Sequence, residues 1–88
     1  MKRSFEIQNR LGLHARAAAQ LVQLGAGFSA DLTIEKDGQR VNGKSIMGVM
    51  MLAAELGAEV LVETEGTDAQ AALDAVAELL GNDFEGQI

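Results

Sequence analysis

An α+β sandwich of two layers is the fold class this sequence predicts, and three observations predict it. Four short segments alternate polar and apolar residues or run apolar between charged ends, as strands with one wet face do. Three others repeat apolar residues at helical spacing. Their order along the 88 residues is β-α-β-β-α-β-α, and only helices are left to bury the inner face of a four-stranded sheet. Strand order does not follow from this pattern; any crossover joining parallel strands should be right-handed.

Ser4–Gln8 alternates and reads as the first strand, followed by a loop from Asn9 to Leu13. From Ala15 to about Leu24 the pattern is helical, with Ala18, Leu21 and Val22 on one face and Arg16, Gln20 and Gln23 on another. Gly25 and Gly27 are expected to end that helix. Asp31–Lys36 alternates again, and Asp37-Gly38 is a two-residue hairpin turn into Gln39–Asn42. Ser45 is a good N-cap for a second helix reaching Ala54 or Glu55, with Gly57 closing the segment. Glu59–Glu65 is the fourth strand. Thr67 is expected to cap a third helix, where Ala69, Ala72, Leu73, Val76 and Leu80 recur on one face until Gly81 stops it. The tail Asn82–Ile88 is polar apart from Phe84 and Ile88.

Composition narrows the function. Residues 1–88 make one small domain without linker or low-complexity segment, and with three Phe and no Trp or Tyr its core must be aliphatic. The absence of Cys excludes disulfide staples and thiol chemistry and fits a reducing cytoplasm. Met1–Glu6 lacks the apolar stretch of a signal peptide, and there is no apolar run of about 18 residues to span a membrane. The expected protein is soluble, cytoplasmic and free of membrane partners. A net charge of −6 argues against nucleic acid. The charge is uneven, however: all seven basic residues lie within residues 1–44 against four acids, while residues 45–88 hold nine acids and no base. Arg10 and Arg16 bracket the single histidine, where they would steer a negatively charged surface or a phosphate.

That histidine, His14, stands where a glycine-bearing loop, Gly12-Leu13, turns into the alanine-rich helix Ala15-Arg16-Ala17-Ala18. The first N–H groups of a helix have no internal partner and carry about half a positive charge. Phosphate placed on the imidazole would meet the backbone of Ala15, Arg16 and Ala17 and the Arg16 guanidinium, which is what a transient phosphohistidine needs. The competing reading is an ordinary helix-end histidine. A metal site is not expected, since it needs three or four ligands and there is neither a second His nor a Cys.

Two further segments stand out. Gly38–Ser45 fits the phosphate-loop pattern G-x-x-x-x-G-K-[ST], but its first glycine belongs to the hairpin turn and its middle reads as an edge strand. Nucleotide binding there is the remote alternative. Ile46-Met47-Gly48-Val49-Met50-Met51-Leu52 is apolar almost all round. A short helix on a sheet buries one face, so some of Ile46, Met47, Met50 and Met51 should stay exposed as a partner-docking patch. A wholly buried core helix is the competing reading.

Gly12-Leu13-His14-Ala15-Arg16 resembles the active-site motif of the histidine-containing phosphocarrier (HPr) family of the bacterial phosphotransferase system. Asn42–Met50 is similar to that family's regulatory-serine segment, at the family's spacing, and the element order agrees over residues 2–80. The resemblance implies an open-faced sandwich, with a four-stranded antiparallel sheet in the order 1-4-2-3 and three helices on one face. It implies that His14 takes a phosphoryl group on Nδ1 from phosphorylated enzyme I, with Arg16 stabilising it, and passes it to an enzyme II A component or a related acceptor. Ser45 would be the target of an HPr kinase/phosphorylase, and Ile46, Met47 and Met50 would dock partners. No cofactor is implied, and the chain would be a monomeric carrier rather than a free-standing enzyme. Ala17 replaces the proline the family usually has after the arginine. That departure leaves two outputs open, sugar transport or a nitrogen-branch or other regulatory relative whose binding is gated by phosphorylation.

Overall fold

The computed structural model describes residues 1–8 and 10–81. In chain order the elements are β1 (Lys2–Glu6), α1 (Ala15–Ala26), β2 (Asp31–Lys36), β3 (Gln39–Asn42), α2 (Ile46–Met51), β4 (Glu59–Glu65) and α3 (Ala69–Gly81). The strands form one sheet in the order β1-β4-β2-β3, every neighbouring pair antiparallel. This open-faced sandwich is the expected architecture. Asn9, placed in the first loop, and the tail Asn82–Ile88 with Phe84 and Ile88 lie outside the described residues.

Alternation explains the layers. In β4, Val60, Val62 and Thr64 point to the helices and are buried, while Glu59, Glu63 and Glu65 stand on the open face with Leu61. Leu32 and Ile34 do the same in β2. The fully buried large side chains are aliphatic (Ile7, Leu21, Ile34, Val49, Val60, Val62, Val76), with Thr64 as the polar exception. Its hydroxyl donates to the Ala69 carbonyl at 2.9 Å, which removes most of the cost of burying it. On the open face Arg40 bridges Glu63 at 2.6 Å and Glu35 at 3.1 Å, and Lys2 approaches Glu63 at 3.8 Å. Asp37 and Gly38 take φ of 51° and 85°, both positive as a type I′ hairpin turn requires.

Four local expectations need correction. The first strand is Lys2–Glu6, not Ser4–Gln8, because its register ends at the Glu6–Glu59 pair. Ile7 is still buried, and its N–H donates to the Ala58 carbonyl as the chain leaves the sheet. Gly25 does not end α1, which runs to Ala26 with Gly27 as C-cap. A Cβ on Gly25 would lie 2.9 Å from Leu32 Cδ2, so the glycine serves helix–sheet contact instead. The second helix stops at Met51, three or four residues early, where Ala53 adopts φ 50°. Finally Asp68, not Thr67, precedes α3: the Ala72 N–H donates to the Asp68 carbonyl in the first helical bond.

The Asp68 carboxylate reaches back to accept the N–H groups of Ser29 at 2.8 Å and Ala30 at 2.7 Å. From the other side the Lys44 ammonium donates to the Phe28 carbonyl at 2.8 Å. The turn before β2 is thus held between two charged side chains. The Ser29 N–H, then that of Ala30, holds the Asp68 carboxyl below the ordinary carboxylate range against the opposing effect of desolvation. Unfolded Asp68 therefore binds a proton at higher pH than folded Asp68. Its stabilising effect is complete above the ordinary value near 3.9 and is lost as pH falls through the lowered folded value. Denaturant melts between pH 7 and pH 2 should show this acid-side loss, and Asp68→Ala should start from a lower plateau with a flatter acid limb.

Candidate functional site

His14 occupies the N-cap of α1, in extended backbone conformation. Its Nδ1 accepts the backbone N–H of Arg16 at 3.3 Å, and its Nε2 is shielded from solvent without a hydrogen-bond partner among the described residues. A ring nitrogen that accepts an N–H presents its lone pair, so the neutral imidazole carries its proton on Nε2. The nucleophilic nitrogen is thus the one facing the helix start. The bond is long enough to be given up easily. The first i to i−4 bond of α1 runs from the Ala18 N–H to the His14 carbonyl, so the N–H groups of Ala15, Arg16 and Ala17 precede the helical ladder. A phosphoryl group on Nδ1 would meet these donors and the positive end of a 12-residue helix. Ala15 and Arg16 are exposed; the Ala17 methyl is fully buried.

The loop before His14 is fixed from outside itself. Gly12 has φ 68°, and a Cβ there would overlap the Ala54 carbonyl oxygen and lie 2.9 Å from Glu55 Cα. That same carbonyl accepts the Leu13 N–H at 2.8 Å. The segment after α2 therefore presses on the histidine loop, and the early end of α2 has its reason here. Ala53 turns the chain with positive φ so that the Ala54 carbonyl faces Leu13 instead of continuing the helix. Nothing in the sequence announced this, since no glycine stands at Ala53.

Charge at the site is decided by what the other cations do. Lys2, Lys36 and Arg40 are ion-paired, Arg3 lies 5.3 Å over the Phe5 ring, and Lys44 is bound to the Phe28 carbonyl. Arg10 and Arg16 are exposed and make no ion pair among the described residues. The two guanidinium groups left uncommitted are the two that bracket His14, as the sequence suggested for steering an anion.

Ser45 is the N-cap of α2, its hydroxyl accepting the Gly48 N–H at 3.2 Å. Gly38–Ser45, the letter match to a phosphate loop, is a hairpin turn, an edge strand paired with β2 and a short turn, so no loop wraps a phosphate there. Val49 and Leu52 anchor α2 in the core, while Met47 and Met51 are 72% and 64% exposed and Ile46 and Met50 are also exposed. The expectation of an uncovered apolar face is met. Leu11 and Leu56 are exposed too, and the sequence reading missed them because each is an isolated leucine in a loop. The helix α2 packs beside α1, the helix that His14 caps. Among the described residues no helix is long and apolar enough to cross a membrane, and no cluster of His, Cys, Asp and Glu could hold a metal ion.

Comparison with known proteins bears on this arrangement. Residues 1–82 match the family model described as the phosphotransferase-system HPr component phosphorylation site. The phosphocarrier protein HPr of Cupriavidus necator is 49% identical over 88 residues, 99% of each chain. A crystal structure of HPr from Thermoanaerobacter tengcongensis superposes with a TM-score of 0.95 at 40% identity, covering 100% of this chain and 99% of that one. An HPr dimer from the same organism is 44% identical with a TM-score of 0.78, covering 91% and 92% of the two chains. The expected monomer is therefore not a property that the fold carries with it. With the match of family model, sequence and fold over nearly its whole length, the chain belongs to the HPr family of phosphotransferase-system phosphocarriers.

Proposed function

We propose that His14 Nδ1 accepts a phosphoryl group from phosphorylated enzyme I and passes it to an enzyme II A-type acceptor, with residues 1–88 acting as one cytoplasmic carrier domain. One observation carries the proposal: the imidazole lone pair is aimed at the open start of α1. In the step, the Nδ1 lone pair attacks phosphorus as the donor's bond to phosphorus breaks, and the N–P bond forms. The Arg16 N–H then passes from Nδ1 to a phosphate oxygen, joined by the Ala15 and Ala17 N–H groups and the Arg16 guanidinium. The ring keeps its proton on Nε2. A modest electrostatic hold suits a carrier, because a phosphoryl group bound too well would not be handed on. Incubation with enzyme I and labelled phosphoenolpyruvate tests this: the product should carry label that is lost in acid and kept in base. A protein that takes up no label overturns the proposal.

The exposed face of Ile46, Met47 and Met50 is proposed as the surface that enzyme I covers during transfer. Met47→Glu should weaken enzyme I binding by about tenfold, since a carboxylate there must be desolvated on docking. The melting temperature should barely move, because the side chain is 72% exposed. A titration paired with a melt separates the two effects, and a collapsed melt would show Met47 to be structural.

Ser45 is proposed as the regulatory site, acted on by an HPr kinase/phosphorylase. Ser45→Asp should hold the fold or stabilise it by a few tenths of a kcal/mol, since aspartate caps as well as serine and complements the helix dipole. It should slow uptake from enzyme I several-fold, because its charge stands one residue from Ile46 and two from Met47. Equal transfer rates for wild type, Ser45→Asp and the enzymatically phosphorylated protein would leave Ser45 a helix cap only.

A further inference from the structure

We propose that Met47 and Met51 form a reversible oxidation site, whose conversion to methionine sulfoxide by hydrogen peroxide closes the docking face without unfolding the protein. The proposal rests on the docking reading given above. The chain has four methionines and no cysteine, so thioethers are its only sulfur and no thiol competes for the oxidant. Met47 and Met51 are the most exposed of the four, at 72% and 64%, against 52% for Met1 and 41% for Met50. Spaced four residues apart in α2, they lie on one helix face a turn from each other. That face turns away from the core, since α2 is anchored through the buried Val49 and its C-cap Leu52.

The chemistry is self-contained once peroxide is supplied. A sulfur lone pair attacks one peroxide oxygen, the S–O bond forms and the O–O bond breaks. The departing hydroxide takes up a proton as water, so sulfur is oxidised by two electrons and peroxide is reduced by two. Reversal by methionine sulfoxide reductases returns the thioether and water while two reductase thiols close to a disulfide. The oxidised side chain is polar and strongly hydrated, so burying it against a partner costs what burying the thioether does not. Because neither sulfur packs in the core, the fold has little to lose.

The test treats the full chain with graded hydrogen peroxide and maps oxygen uptake by peptide mass spectrometry. Melts and the rate of phosphoryl uptake from enzyme I are followed in parallel. Uptake at Met47 and Met51 should precede that at Met50, the melting temperature should hold, and the transfer rate should fall about tenfold. Sulfoxide reductases should restore it. The double variant Met47→Leu with Met51→Leu, whose own untreated rate is the baseline, should show the same rate before and after that treatment. Met1 is an internal control: it sits at the end of β1 remote from His14, its amino group bound to the Thr64 carbonyl at 2.7 Å, so its oxidation should cost nothing. A competent protein whose rate ignores oxidation at Met47 and Met51 overturns the proposal, as does an equal loss in the double variant. A reduced protein that takes nothing from enzyme I overturns the docking reading and this proposal with it.

Discussion

Replacing His14 by alanine should leave a folded protein that accepts no phosphoryl group from enzyme I. The fold should survive because the imidazole contributes one long hydrogen bond, from the Arg16 N–H at 3.3 Å, as the cap of α1. Losing such a cap costs about 1 kcal/mol or less when the position is partly open to water, as His14 is. Uptake should fall to background because no second imidazole exists to take over. Labelling with phosphoenolpyruvate and enzyme I, beside a circular dichroism melt, reads both effects. Label persisting on the folded variant would place the acceptor elsewhere and sink the assignment.

Gly12→Ala should produce the largest loss of stability among single substitutions near the site, and should disable the site as well. An alanine held at the 68° φ of Gly12 costs about 1–2 kcal/mol from backbone strain alone. Its Cβ would also overlap the Ala54 carbonyl oxygen, and forced displacement of packed groups adds roughly 1–3 kcal/mol. For a chain of this size the two together lower the melting temperature by roughly 10–25 °C. Relief can come only by moving the loop off Ala54, which breaks the Leu13 bond to that carbonyl and shifts His14, the next residue. Gly57→Ala is the matched control. Gly57 has φ 85° with nothing within 4 Å of an added Cβ, so it should show the strain alone and leave transfer intact. Equal melts for the two variants would mean that the approach of Ala54 to Gly12 matters little. Transfer rates measured well below both melting transitions would then settle whether the loop still positions His14.

Much of this architecture was legible in the residues themselves. Alternation marked β2 and an apolar run between glutamates marked β4, both to the residue, and Asp37-Gly38 announced a turn whose two positive φ angles only such a pair adopts readily. The buried stripe of α3 was readable from its spacing, as was the uncovered face of α2 from its excess of apolar residues. His14 at a helix start between Arg10 and Arg16 could likewise be picked out unaided. These features are local: period, turn chemistry and capping act between residues a few positions apart, so the sequence by itself determined them.

What only the tertiary structure decided involves residues distant along the chain. Gly25 looked like a helix stop, yet it is a helical residue whose missing side chain admits Leu32. Ala53 carries no stop signal, yet α2 ends before it because Ala54 must serve Leu13 some forty positions earlier. Asp68 reads as an ordinary helix-start acid until its carboxylate is seen holding Ser29 and Ala30. Lys2, Arg40 and Lys44 find their partners far along the chain, while Arg10 and Arg16 make no ion pair among the described residues. Contacts of this kind leave no period and no motif, because each partner is chosen by where the folded chain brings it. The sequence thus named the histidine, and packing fixed its loop against Ala54.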